Sequence, residues 1–238
     1  MITNAGANGN RPLHHNMEEL KIMGIQTATK WNQSYQKTPR KVYGSDRIGI
    51  VGYHDYGFVI AKPADPFSAW LQTRTHELRK KVSGSSTNIT DGLRKSVEML
   101  KITPIGVLRR IWLLTDGYPN RDVSSIMDVV NDAHRNYINV NTIGFGDTYD
   151  ENLLRQISGG THNGRFYPVS TLRQLTQALT MGANTKNGPE RQHHRAETTI
   201  LAIDLSGSML QQMGDKAKIA VVEEAILHLI NYKQKCFA

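Results

Sequence analysis

Short apolar runs alternate with amphipathic stretches along this chain, and that alternation carries most of the fold. Ile111-Trp112-Leu113-Leu114-Thr115 and Thr199-Ile200-Leu201-Ala202-Ile203 are near-continuous apolar runs, as expected of strands covered on both faces. Val140-Asn141-Thr142-Ile143-Gly144-Phe145 and Arg165-Phe166-Tyr167-Pro168-Val169 read as further strands. Arg47 to Tyr53 and Phe58 to Ala61 are β-rich, and His54-Asp55-Tyr56-Gly57 between them is a hairpin signal that predicts antiparallel pairing.

Helical spacing fills the intervals. Ile89, Leu93, Val97 and Leu100 repeat at four, four and three residues behind Thr87 or Asn88 as cap. Val123, Ile126, Val130, Ala133 and Tyr137 mark a second helix, Leu153, Leu154 and Ile157 a short third, and Leu172, Leu175 and Leu179 a fourth. Ile219, Val222, Ile226 and Leu229 stripe a long helix starting near Asp215. Trp70, Leu71, Leu78 and Val82 fit an irregular helix that Ser83-Gly84-Ser85-Ser86 ends, and Met17, Leu20 and Met23 predict a helix over 16–35.

Strands alternating with helices predict an α/β fold: a doubly wound, Rossmann-like, mostly parallel sheet with one antiparallel edge strand and helices on both faces. The expected organisation is an N-terminal arm and helix over 1–44, then a domain over 45–238. Within it, 182–198 reads as an exposed linker, polar and rich in Gly and Asn. Residues 199–234 supply a strand and helix that cannot form a core alone and must join the earlier elements. Ligands on such sheets gather at the carboxyl edge of the strands, so the turns there are where chemistry is expected.

Composition narrows the function. A chain of 238 residues can bury roughly 70% of its unfolded surface around one core. No stretch approaches the ~20 apolar residues that span a bilayer, and Met1-Ile2-Thr3-Asn4-Ala5-Gly6 lacks a basic start and an apolar core, so a soluble cytoplasmic protein is expected. The single cysteine, Cys236, excludes a disulfide scaffold. A net charge of +8 would attract acidic partners, but the basic residues are scattered, with short groupings at Arg79-Lys80-Lys81 and Arg109-Arg110. No aromatics interleave with them at a stacking spacing, which disfavours nucleic acid.

Three turns concentrate short oxygen-bearing side chains: Asp204-Leu205-Ser206-Gly207-Ser208, Ser86-Thr87-Asn88 and Thr115-Asp116-Gly117. A hard divalent cation wants oxygen ligands, and hydroxyls at i and i+2 can face one point across a tight turn. Gly207 keeps a β-carbon out of that space. Each turn also has a plainer role as helix cap or type I turn, compatible with metal binding. Asp147 and Asp150 read as turn and cap residues, and the pairs His14-His15 and His193-His194 lack metal-ligand spacing. No phosphate loop and no Gly-x-Ser-x-Gly elbow is present. An aspartyl phosphoryl-transfer enzyme would want a second carboxylate where Ser206 stands.

The three turns together resemble the metal-ion-dependent adhesion site of the von Willebrand factor A domain, and Ile143-Gly144-Phe145-Gly146-Asp147 resembles its later strand and loop. The resemblance covers roughly 45–182 and 198–234. It implies a metal site of Asp204, Ser206, Ser208, Thr87 and Asp116, the two serines and Thr87 binding directly and the aspartates directly or through water. It further implies one divalent cation, Mg²⁺ or Ca²⁺ with Mn²⁺ as an alternative, and a non-enzymatic interaction module whose partner presents an exposed Asp or Glu. In the family the Asp-x-Ser-x-Ser strand comes first, whereas here it comes late, which implies a circularly permuted order. The competing expectations are a metal-dependent phosphoryl-transfer or hydrolytic enzyme and a basic nucleic-acid-binding protein.

Overall fold

A computed structural model describes residues 46–104, 106–181 and 196–237. The helix expected over 16–35, the arm before it, both histidine pairs and most of the 182–198 linker lie outside the described residues.

The elements in chain order are β1 (Arg47–Tyr53), β2 (Gly57–Ala64), α1 (Ala69–His76), α2 (Ile89–Lys101), β3 (Leu108–Thr115), α3 (Ile126–Arg135), β4 (Ile138–Phe145), α4 (Glu151–Gly159), β5 (Phe166–Val169), α5 (Leu172–Met181), β6 (Glu197–Asp204), the two-residue strands β7 (Gln212–Met213) and β8 (Lys216–Ala217), and α6 (Lys218–Phe237). Among them β2, β1, β6, β3, β4 and β5 lie in that order in one sheet. All neighbours are parallel except β1 and β2, which form the expected antiparallel hairpin. The mostly parallel α/β fold with one antiparallel edge strand is therefore present.

Both faces of the sheet are covered, which explains the continuous apolar runs. On one face Ile48, Ile50, Trp112, Leu114, Ile143, Phe145, Leu201 and Ile203 pack with α1, α5 and α6. On the other, Val51, Tyr53, Ile111, Leu113, Val140, Ile200 and Ala202 pack with α2, α3 and α4. Every residue of β6 is buried, as befits a strand with neighbours on both edges and helices on both faces.

Several boundaries differ from the sequence reading. β6 begins at Glu197, two residues inside the expected linker, and β3 begins at Leu108, taking in Arg109 and Arg110. The helix expected from Asp215 begins at Lys218, because Gln212–Ala217 closes a small hairpin around Gly214 at φ +67°. The irregular stretch after Ala69 is an α-helix to His76 and then a 3₁₀ turn, Leu78–Lys81. Tyr137 leaves its helix at φ +54° and turns the chain into β4. Asn88, not Thr87, caps α2, its Oδ1 accepting from the Asp91 amide, and Asp150 caps α4.

Gly92 in α2 is a close-approach position. A β-carbon there would lie 2.5 Å from Cδ1 of Tyr53, whose ring is fully buried and whose hydroxyl donates to the Leu114 carbonyl at 2.8 Å. The helix would gain ~1 kcal/mol from alanine, but overpacking a fixed ring costs ~1–3 kcal/mol. Gly92→Ala is therefore expected to lower stability by up to ~2 kcal/mol in urea melts, against the gain an open helical position would give. A stabilised variant would show that the ring has room to move.

Candidate metal-binding site

Asp204 ends β6 at the centre of the sheet, with β1 on one side and β3 on the other. Its carboxyl is fully buried and both oxygens are engaged. Oδ1 accepts from the Ser206 amide at 2.9 Å, and Oδ2 accepts from the Thr115 hydroxyl at 2.7 Å. The first of these closes the tight turn after the strand, so Asp204 shapes the loop that presents Ser206 and Ser208.

Those two hydroxyls come together, Ser206 Oγ and Ser208 Oγ standing 3.0 Å apart. Ser208 Oγ donates to Oδ1 of Asp116 at 2.7 Å. Asp116 follows β3, is 1% exposed, and has its carbonyl tied to the Thr148 hydroxyl at 3.2 Å. Four of the five expected ligands thus form one continuous set of oxygens at the carboxyl edge of β6 and β3.

Thr87 joins through the backbone. The Ser83 amide donates to the Leu205 carbonyl at 2.9 Å and the Gly207 amide to the Gly84 carbonyl at 3.2 Å, which ties the loop before α2 to the serine turn. The Thr87 amide donates to Oδ1 of Asn120 at 2.9 Å, and the Asn120 amide returns a bond to the Thr87 carbonyl at 3.3 Å. Its hydroxyl lies beside the turn after Asp116, 3.8 Å from where a β-carbon on Gly117 would sit. No described interaction joins that hydroxyl to the two serines.

Burial dominates the electrostatics. Desolvation lifts the Asp204 carboxyl from 3.8 to about 6, against the lowering pull of its bonds from Ser206 and Thr115, while Asp116 adds a further upward push. Below the same edge, burial raises the Tyr53 phenol well above its usual range, reinforced by Asp204. Two buried carboxylates beside three hydroxyls form a donor set suited to a hard cation. Among the described residues, no group of three His, Cys, Asp or Glu side chains is placed to hold a metal, so any coordination here would need hydroxyls, backbone carbonyls or water beside the two carboxylates.

Sequence reasoning missed one member of the cluster, Lys218, the first residue of α6. Its Nζ donates to Oδ2 of Asp116 at 2.7 Å and reaches Oε1 of Gln211 at 3.3 Å, and the residue is 6% exposed. The available signal was its spacing: Lys218 stands four residues before Val222, on the apolar stripe of the helix, where a charge needs a buried partner.

The sequence matches the family model of the von Willebrand factor type A domain over residues 33–180, a span that ends before β6. No curated protein matches the chain. Among solved structures, an uncharacterized membrane spanning protein from Vibrio fischeri is 20% identical, with 58% of this chain and 74% of that chain covered and a TM-score of 0.30. No helix among the described residues is long and apolar enough to cross a membrane.

Proposed function

This chain belongs to the von Willebrand factor type A domain family, and we propose that it is a protein-interaction module that captures an acidic side chain of its partner through a divalent cation. The observation that carries this reading is that Ser208 Oγ lies within hydrogen-bond distance of both Ser206 Oγ and Asp116 Oδ1 at the sheet's carboxyl edge. Ser206, Ser208 and Thr87 would hold the cation, with Asp204 and Asp116 behind them or beside them. When bound, the cation supplies a Lewis-acidic position that hydroxyl ligands leave electron-poor, so that a carboxylate from outside is a strong further ligand. Mg²⁺ or Ca²⁺ suits the oxygens, with Mn²⁺ as an alternative.

In this reading β6 and α6 are the family's opening strand and helix, carried late in the sequence and returned to the centre of the sheet. The placement of β6 between β1 and β3, outside the span matched to the family, supports that permuted order. An aspartyl nucleophile is disfavoured by the same geometry: Asp204 has no exposed surface and both its oxygens already accept hydrogen bonds.

Calorimetry with Mg²⁺ and Ca²⁺ tests the proposal directly. The unaltered chain is expected to bind one ion, and Ser206→Ala and Asp116→Ala are expected to weaken that binding at least tenfold. At 100 times its dissociation constant the ion should raise unfolding stability by ~2.7 kcal/mol. Identical metal responses in all three proteins would sink the site.

A further inference from the structure

The geometry points to Lys218 as a resident cation of this site, one that occupies the second oxygen of Asp116, weakens the binding of a divalent ion and leaves the loaded site net positive toward an anionic partner. The inference rests on the metal-site reading above and deepens it.

Asp116 is shared between two donors. Ser208 holds Oδ1 and Lys218 holds Oδ2, each at 2.7 Å. While that ammonium stays in place, Asp116 can offer a cation only the Ser208 side of its carboxylate, and chelation through both oxygens is closed. The ammonium is well fixed. Lys218 is 6% exposed, its Nζ also reaches Gln211, and its backbone amide donates to the Gln211 carbonyl at 2.9 Å.

Charge then decides what the site prefers. Asp204 and Asp116 bring two negative charges once both are ionised, and Lys218 cancels one of them. A divalent ion entering this set meets repulsion from an ammonium one carboxylate away, in surroundings where charges are screened far less than in water. Once the ion is bound, the cluster carries a net charge of +1 with Lys218 and zero without it. The lysine therefore trades metal affinity for attraction of a carboxylate ligand, which makes it a specificity-determining residue and not a further metal ligand.

The neighbouring Lys216 provides a control for simple loss of charge. It lies two residues away, on the surface, where its Nζ pairs with Glu224 at 2.7 Å. Mg²⁺ titrations by calorimetry on the full chain should compare the unaltered protein with Lys218→Met, Lys218→Gln, Lys218→Arg and Lys216→Gln. The glutamine variant keeps a donor for Asp116 without the charge, so it reports even if the methionine variant does not fold. Both neutral variants at position 218 are expected to bind Mg²⁺ about tenfold more tightly, while Lys218→Arg and Lys216→Gln stay within about threefold of the unaltered chain. Unchanged or weaker binding in a folded Lys218→Gln protein would overturn the role of Lys218 and leave the metal site standing. Absence of Mg²⁺ binding in the unaltered chain and in every variant would reject the metal site and this inference together.

Discussion

Replacing Lys233 with methionine is expected to lower the stability of the domain by about 3–5 kcal/mol, seen as a lower urea midpoint at unchanged slope. Lys233 sits near the end of α6 and is 2% exposed. Its ammonium pairs with the buried carboxylate of Asp46 and lies 3.5 Å from Glu197, the first residue of β6. Glu197 in turn stands 3.4 Å from Arg110, accepts from the Thr199 hydroxyl, and donates its own amide to Asp46 Oδ1 at 2.9 Å. Two carboxylates and two cations therefore balance at the amino edge of β1, β6 and β3. Methionine preserves the stem of the lysine but removes the ammonium that pairs with Asp46 and stands beside Glu197. That is the costly way to break a buried pair, since the stranded charges keep their desolvation penalty. A loss below ~1 kcal/mol would mean that water already reaches this cluster.

The second large effect runs the other way. Asp204→Asn is expected to stabilise the metal-free protein by about 3 kcal/mol at pH 7.5 and to leave it no more stable than the unaltered chain at pH 4. The sign follows from proton affinity. Burial raises the folded-state carboxyl from 3.8 to about 6, so the folded form binds the proton more tightly than the unfolded chain does. The contribution of that group is fully present below about pH 4 and is lost as pH rises through about 6. Asparagine stays neutral throughout, retains an acceptor for the Ser206 amide and faces a Thr115 hydroxyl that can reverse its role. Chemical denaturation at a series of pH values, with chelator present, would trace both curves. Parallel curves would show that Asp204 carries no such burden.

The general architecture was legible because apolar runs such as Ile200–Ile203 can only be strands buried on both faces, and because the α2 and α3 stripes keep strict helical spacing. The closeness of Asp204, Ser206, Ser208 and Asp116 was legible for a related reason: their turns directly follow apolar strands, whose carboxyl ends lie side by side in such a sheet. What escaped was charge inside the core. Arg109 extends β3 while its guanidinium donates to the carbonyls of Thr103 and Asn136, and Arg110 and Glu197 extend their strands into the ion cluster. A reading that ends a strand at its first charged residue cuts these off. Lys218 and Lys233 were hidden in the same way, at stripe positions of α6 where only the tertiary partners, Asp116 and Asp46, explain a lysine. The hairpin of β7 and β8 left no apolar signal, being two residues on each side of a glycine turn.

The central position of β6 also sets a schedule for biosynthesis. Arg47 of β1 pairs with Thr198, and Leu108 of β3 with Glu197. A ribosome adding ~5–20 residues per second must make about 150 more after β1 before its parallel neighbour emerges, a wait on the order of ten seconds. Over that interval β1, and β3 once it is made, lack the strand that pairs with both, and an unpaired edge is the kind of surface that recruits strands from other nascent chains. The yield of this protein is therefore expected to respond to translation speed and chaperone supply more than its finished stability would suggest.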